Sequence, residues 1–491
     1  MHSAGSRPGS LVWRQRRSRN IALLLFAGSM LVFLAVSPHK YIAYDAASMV
    51  GVAHDLVNHF SLQASHGFDD YLGLSTPYSP YGIGLSLVIA PFYALSKLTG
   101  HEMTVLSLIN PLITSCTVVV AFAIGRALRW SESLSVLAAV TYGIVTMALQ
   151  ATTELFSEPA VSLCIALMIW GIFRWRDQYW YGPLVVGLSA AAAAQFRSDS
   201  VFTVWIGLLA LPLFVPWRSI LRPAHLASLG IPLGLSLAAL GAYNYVRWHS
   251  VLEFSYNGQG FHTPIGRGVE GLLFSPGKSF FVFNPIAVLG VVGLVILLRF
   301  NRAAGVLFIL LIVPRVVFFA KWDQWPGGVD WGPRFLLPVV LLFVLSAVEV
   351  LYRTPARTIT GVLTRVGFVS LFVLSLGISY VSVRVPYDQW LGTLENPKLA
   401  AHFEQGGPLF PPSGGTDAML NAYDFTVRAS QIRGDLDLIE AGTAVMAPAD
   451  FNGDSSVLGW LLLSLGCVAL VTAGVEAAGV DRAPRQVPEE P

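Results

Sequence analysis

"NIALLLFAGSMLVFLAV" occupies residues 20–36, and "YIAYDAASMVGVAHDLVNH" follows at 41–59. The first stretch is an unbroken apolar run long enough to span hydrocarbon. The second brings two acids, Asp45 and Asp55, and two histidines, His54 and His59, to the mouth of that run. Basic residues precede the run and no small-residue cleavage site follows it, so it reads as a retained span rather than a removed signal.

Runs of the same kind recur almost to the end of the chain. Of 491 residues, 54% are hydrophobic and 12% charged, about half the charged share of an average soluble domain. The expected spans are 20–36, 104–125, 134–150, 159–173, 181–195, 200–217, 225–246, 280–298, 303–320, 335–352, 362–382 and 456–475. The prediction is an all-α polytopic membrane protein, a bundle of about 12 (11–13) transmembrane helices. Residues 1–19 read as a basic tail and 476–491 as a disordered one. Cys116, Cys164 and Cys467 all fall inside apolar runs, which leaves no disulfide framework and no CxxC pair. No soluble catalytic domain or fixed-period repeat is visible, and nothing points to nucleic acid.

Arginine sets the expected orientation. The N-terminal tail carries Arg7, Arg14, Arg16, Arg17 and Arg19, which places it in the cytoplasm by the positive-inside rule. The turns with Arg126/Arg129, Arg174/Arg176, Arg218/Arg222, Arg299/Arg302 and Arg353/Arg357/Arg365 share that side if 81–98 does not cross. That segment, with Pro91 between Tyr81 and Tyr93, then reads as an interfacial helix. Both chain ends are expected inside. The 37–103 loop, 151–158, 196–199, 247–279, 321–334 and 383–455 are expected outside, away from cytoplasmic nucleotide sugars and ATP.

The unusual polar residues concentrate on those outer segments. Asp45 opens a helix-spaced pattern and has two readings, an N-terminal cap favoured by the helix dipole and a general base. Asp55 reads as a solvated surface acid that still borders a substrate cavity. His54 and His59 are compatible with a divalent metal, but two histidines five apart are a weak signal. "STPYSPYGIGLSLVIAPFYAL" (75–95) enters the interfacial helix sharply and offers Tyr78 and Tyr81 to the cavity. In "TTELFSEP" (152–159), Glu158 opens the next span ahead of Pro159, while Glu154 has no such structural role. In "QFRSDS" (195–200), Asp199 reads as a cap or local ion pair, and Arg197 as a cation suited to a lipid phosphate. "FSPGKSFFVFNP" (274–285) and "AKWDQWPGGVDWGPRFLLP" (320–338) contribute Lys278, Lys321 and Arg334, with Trp325 and Trp331 either lining the cavity or forming an aromatic belt. Arg315 lies inside an apolar run, where a cation is costly and functional by default. A base beside phosphate-holding cations suits transfer from a lipid phosphate. It also suits transport of a lipid-linked or anionic envelope precursor. Against transport, the sequence shows no matching inverted halves.

The order of these motifs resembles the GT-C class of integral membrane glycosyltransferases, in particular the bacterial family 39-like protein mannosyltransferase group. The similar stretches are "YDAASMVGVAHDLVNHFSL" with its tyrosine at 44, "YSPYGIGLSLVIAPFYAL" (78–95), "TELFSEPAVSLCIALMIWGIFRW" (153–175), "LVVGLSAAAAAQFRSDS" (184–200), "LLFSPGKSFFVFNP" (272–285) and "WPGGVDWGPRFLLP" (325–338). The resemblance covers about the first 340 residues in order. It implies a polyprenyl-phosphate sugar donor, a glycan, lipid or protein acceptor, inversion at the anomeric carbon, and Asp45 as the base. Where that family often has two adjacent acids, Ala46 follows Asp45 here, so a second acid would come from elsewhere, Glu154 being the one expected. The leaving phosphate would then be held by Arg334 and Arg197, followed by Lys278.

Overall fold

The computed structural model describes residues 8–37, 44–64, 77–253, 260–328, 330–385, 424–425, 427, 430–442 and 456–482. The expected 383–455 loop lies mostly outside that set. Among the described residues the secondary structure is helical, with no strand.

The long helices, in chain order, are α1 (Pro8–Val36), α2 (Tyr44–His59), α3 (Ile83–Thr99), α4 (Ile109–Ala127), α5 (Glu132–Ile144), α6 (Glu158–Arg176), α7 (Gly182–Phe196), α8 (Pro223–Trp248), α9 (Ile265–Phe274), α10 (Ile286–Phe300), α11 (Arg302–Lys321), α12 (Leu337–Arg353), α13 (Ile359–Ser382), α14 (Gln431–Glu440) and α15 (Ser456–Arg482). Eight of the described helices are long and apolar enough to cross a membrane. Their ends follow local chemistry. Ser131, Asn301 and Thr358 accept backbone N–H bonds as N-caps of α5, α11 and α13. Pro159 and Pro183 sit in the first turns of α6 and α7, where a missing N–H costs nothing.

Prolines also break two of the expected spans. At 280–298 a single turn, Phe280–Phe283, ends at Asn284, and α10 starts after Pro285. At 200–217 the chain makes one α-turn and then a 3-10 stretch, Trp205–Leu213, holding Pro212. The termini differ from expectation as well. Helix α1 begins at Pro8, inside the expected tail, and α15 continues to Arg482.

The helices alternate in direction, which sorts the loops onto two ends. At one end Arg17 pairs with Glu476 at 2.9 Å. Ser18 donates to Glu132 at 2.5 Å, and the Glu132 N–H donates to Asp481. Arg176 donates to the carbonyl of Ala127, and Trp130 and Arg353 both donate to Glu349. The starts of α1 and α5 and the ends of α4, α6, α12 and α15 therefore meet there, with their arginines. The opposite end carries the ends of α1, α7, α8 and α11 and the starts of α4, α6 and α12. Helices α2 and α3 lie side by side at this second end, with Ala46, Met49, Val50 and Ala53 packed on Leu85, Ile89 and Tyr93. The stretch between α1 and α4 leaves and rejoins the bundle at the same end.

Helix α12 runs through the core, with every residue from Leu337 to Leu351 buried. Its neighbour α10 approaches very closely. A Cβ on Gly293 would lie 1.8 Å from the Ser346 carbonyl oxygen, and one on Gly290 would lie 2.4 Å from that of Phe343. Small residues permit such close crossings in membrane bundles.

Candidate functional site

The second end gathers ionisable side chains from segments far apart in sequence. Asp45 stands in the first turn of α2, where the helix dipole favours an anion. Its Oδ1 accepts a hydrogen bond from the Tyr81 hydroxyl at 2.6 Å. Its Oδ2 accepts from Arg334 Nη1 at 2.7 Å.

Arg334 begins the short turn that leads into α12. Its Nε donates to the Gly327 carbonyl at 2.7 Å and lies 3.0 Å from Asp330 Oδ2. Its guanidinium covers the Phe156 ring at 4.6 Å. The glycines of "WPGGVDWGPR" make this loop feasible. Gly327 and Gly332 have φ of +77° and +60°, a left-handed backbone that side chains disfavour. A Cβ on Gly332 would also meet Phe283 at 2.8 Å.

Behind this pair, Lys278 donates from Nζ to the Asp330 and Gly332 carbonyls. Burial lowers the Lys278 ammonium to about 8, against the opposing pull of Asp424 and Asp330. Burial also raises the Asp330 carboxyl to about 6, with Asp45 and Glu158 adding to it while Arg334 and Lys278 oppose. Burial penalises the charged form of each group.

A second string of alternating charge backs the first. Arg197 donates to Glu158 at 2.7 Å and to Asp199 at 2.8 Å. Arg315, fully buried, lies 3.3 Å from both Asp199 and Thr203 and donates from Nε to the Phe335 carbonyl. Burial raises the Asp199 carboxyl, but Arg197 and Arg315 outweigh it and hold it below the usual range. The Phe319 and Phe335 rings stack at 4.4 Å, and Arg197 lies over both.

Of the residues singled out in the sequence, Asp45, Tyr81 and Arg334 thus meet in one cluster, with Lys278 one step behind. Arg197 and Arg315 are engaged with acids of the protein. Arg315 is paired within the protein through Nη1 and Nε, while its Nη2 is buried with no hydrogen-bond partner among the described residues. Trp325 and Trp331 are 3% and 2% exposed. They pack on Phe425 and Phe283. Tyr78 packs edge-on to Trp248, and Lys321 ends α11 partly exposed. Asn110 donates to the Glu154 carbonyl. Glu158 enters the charge network through Arg197, and its Oε2 is buried without a hydrogen-bond partner among the described residues.

Asp55 corrects the surface reading. It is 1% exposed and 2.9 Å from His54 Nδ1. Asp55 lies on the opposite side of α2 from Ala46, near Ser48 and Val52, and that side is buried as well. His54, Asp55 and His59 have donor atoms within 4.8 Å of one another. Two imidazoles and a carboxylate form a donor set compatible with a divalent metal.

Sequence reasoning did not single out Asp330, Asp424 or Arg247. For Asp330 a signal existed, since it stands four residues before Arg334. Asp424 lies in a loop that carries no pattern.

No family model and no curated protein matches this chain. Solved structures match by shape. ArnT from Cupriavidus metallidurans bound to undecaprenyl phosphate aligns with a TM-score of 0.52 at 12% identity, over 99% of this chain and 82% of that one. The apo state of the same protein gives 0.46 at 13% identity, over 98% and 82%. An oligosaccharyltransferase from Archaeoglobus fulgidus, tethered to an acceptor peptide, gives 0.48 at 11%, over 84% and 63%. The chain has a GT-C-like fold, as the motif order led one to expect.

Proposed function

We propose that the protein is a membrane glycosyltransferase that moves a sugar from a polyprenyl-phosphate donor to an acceptor hydroxyl, with Asp45 as general base and inversion at the anomeric carbon. The reading rests on one observation above all: Asp45 and Arg334 face each other at 2.7 Å at the end of the bundle opposite the arginine-bearing turns. The positive-inside rule assigns that end to the extracytoplasmic side.

In the present state Asp45 is occupied by Arg334. A donor phosphate offers Arg334 a stronger partner, because guanidinium and phosphate can pair bidentately. The exchange frees one oxygen of Asp45 while Tyr81 retains the other. The acceptor O–H then gives its proton to Asp45. The acceptor oxygen attacks the anomeric carbon from the face opposite the phosphate. The C–O bond to phosphate breaks with its electron pair on the leaving polyprenyl phosphate, which Arg334 neutralises. The proton on Asp45 returns to water. The lipid is the donor class this end of a membrane bundle can meet without crossing. Undecaprenyl phosphate, to which the ArnT of similar fold is bound, belongs to the same class.

The test is reconstitution in liposomes with a defined polyprenyl-phosphate sugar and a membrane extract supplying acceptors. Release of polyprenyl phosphate with sugar recovered on an acceptor supports the reading. Movement of the lipid across the bilayer with its sugar intact would mean a transporter instead.

A further inference from the structure

Arg247 occupies the last turn of α8, a helix that contributes nothing else to the Asp45–Arg334 cluster. An arginine at the end of a membrane helix ordinarily extends its head to water. Arg247 does the reverse: it is 5% exposed, with the Tyr243 ring 3.9 Å from its guanidinium carbon. Its Nη1 donates to the carbonyl of Ser79 at 2.7 Å and to that of Tyr81 at 3.0 Å. Its Nη2 donates to Asn244 Oδ1 at 2.6 Å, and Asn244 in turn donates to the Val251 carbonyl. Burying a cation is costly unless its donors are used. Here two of them converge on the carbonyls on either side of Pro80.

That turn is fixed from its other faces too. Ser79 and Ser48 share a hydroxyl bond at 2.8 Å. Gly82 and Gly84 lie against the backbone of Gln195 and Phe196, where a Cβ would come within 2.4 and 2.7 Å. The product of this bracing is the Tyr81 hydroxyl on Asp45 Oδ1.

We propose that Arg247 is a positioning residue for the Asp45 base, acting through Tyr81. It clamps the turn that carries Tyr81, and Tyr81 holds the Asp45 carboxylate in one orientation after a donor phosphate has drawn Arg334 away. The inference rests on the glycosyltransferase reading and adds to it a residue that touches neither substrate. Small misplacements of a reacting group cost up to about a hundredfold in rate.

A double-mutant cycle reads the claim. Single-turnover transfer is measured in liposomes for wild type, Arg247→Met, Tyr81→Phe and the double variant, with donor affinity alongside. Each single variant is expected to slow transfer by about tenfold or more, with donor affinity within about twofold of wild type. The double variant is expected to be no slower than the slower single, because both changes remove one linkage. Multiplicative losses, or a weakened donor affinity that accounts for the loss, overturn the proposal. Arg247→Lys, whose ammonium still donates to both carbonyls, should recover part of the rate, and it replaces Arg247→Met in the cycle if that variant does not fold. A cryo-EM map of the Arg247 variant gives a readout independent of turnover. A Tyr81 hydroxyl displaced from Asp45 supports the clamp, and one still bonded overturns it. Absence of any transfer by wild type would instead count against the glycosyltransferase reading, and the map would still decide the clamp.

Discussion

Arg334 Nη1 lies 2.7 Å from Asp45 Oδ2 although 289 residues separate them. Each is 13% exposed, so the pair is shielded from solvent without being sealed. In the proposed function, a base and a phosphate-holding cation that neutralise each other before substrate arrives form a self-protected site. Neither stands as a lone charge near lipid, and an anionic ligand changes the partner of both.

Arg334→Ala should weaken binding of a polyprenyl-phosphate sugar by about ten- to a hundredfold, the range for hydrogen bonds to a charged group. Arg334→Lys should recover little, since an ammonium lacks the planar fork. Equilibrium binding of a fluorescent donor to protein in nanodiscs checks both.

Donor binding should depend on pH through Asp330. Its carboxyl is raised to about 6, chiefly by burial. Above that value it is charged and competes for Arg334; below it is neutral and the guanidinium is more available. The donor phosphate is a diester with no proton to lose in this range. Affinity should therefore rise as pH falls from 7 to 5, and Asp330→Asn should flatten the dependence. A titration of affinity against pH in both proteins decides it.

The bundle was legible because apolar length and arginine asymmetry are properties of continuous stretches. Asp45 and Arg334 were legible because each sits at a span boundary among residues with another purpose to explain. The partners were not. Glu158 looked like a helix-start acid, and it is one, but the same position points it at Arg197. Arg315 looked available because its run is apolar, whereas Asp199 and Thr203 from one segment and the Phe335 carbonyl from another engage it. Asp55 looked solvated because it lies on the side of α2 away from Ala46 and Ala53, and that side is buried as well. Such pairings join residues 20 to 116 positions apart in sequence and leave no periodic trace.

Asp435 offers a test of the packing of α14. It is 1% exposed, and neither carboxyl oxygen has a hydrogen-bond partner among the described residues. Burial raises it from 3.8 to about 8. A carboxyl whose folded value is raised contributes stability that is full below its unfolded value and lost as pH rises through the folded one. Thermal stability should thus decline between pH 4 and 8. Asp435→Asn, which cannot ionise, should reduce that decline and be the more stable of the two proteins at pH 9. Melting curves of the two proteins at pH 5 and pH 9 measure it.

The proposed sidedness rests on the arginine-bearing turns. Cysteine placed at Arg129 or Arg176 in an otherwise cysteine-free protein should resist an impermeant maleimide added to intact cells and react once the membrane is opened. Labelling in intact cells would invert the topology and remove the lipid donor from the side assigned to it.

The central claim is that Asp45 takes the acceptor's proton. Asp45→Asn keeps the size of the side chain and can still cap α2, so expression and folding should be preserved, as should donor binding at Arg334. The measurement is single-turnover transfer from a defined polyprenyl-phosphate sugar, with donor occupancy fixed at saturation for both proteins. The account predicts a rate lower by about 10²–10⁴-fold. Transfer by a folded, donor-saturated Asp45→Asn protein at the wild-type rate would contradict it and leave Asp45 as a helix cap paired to an arginine.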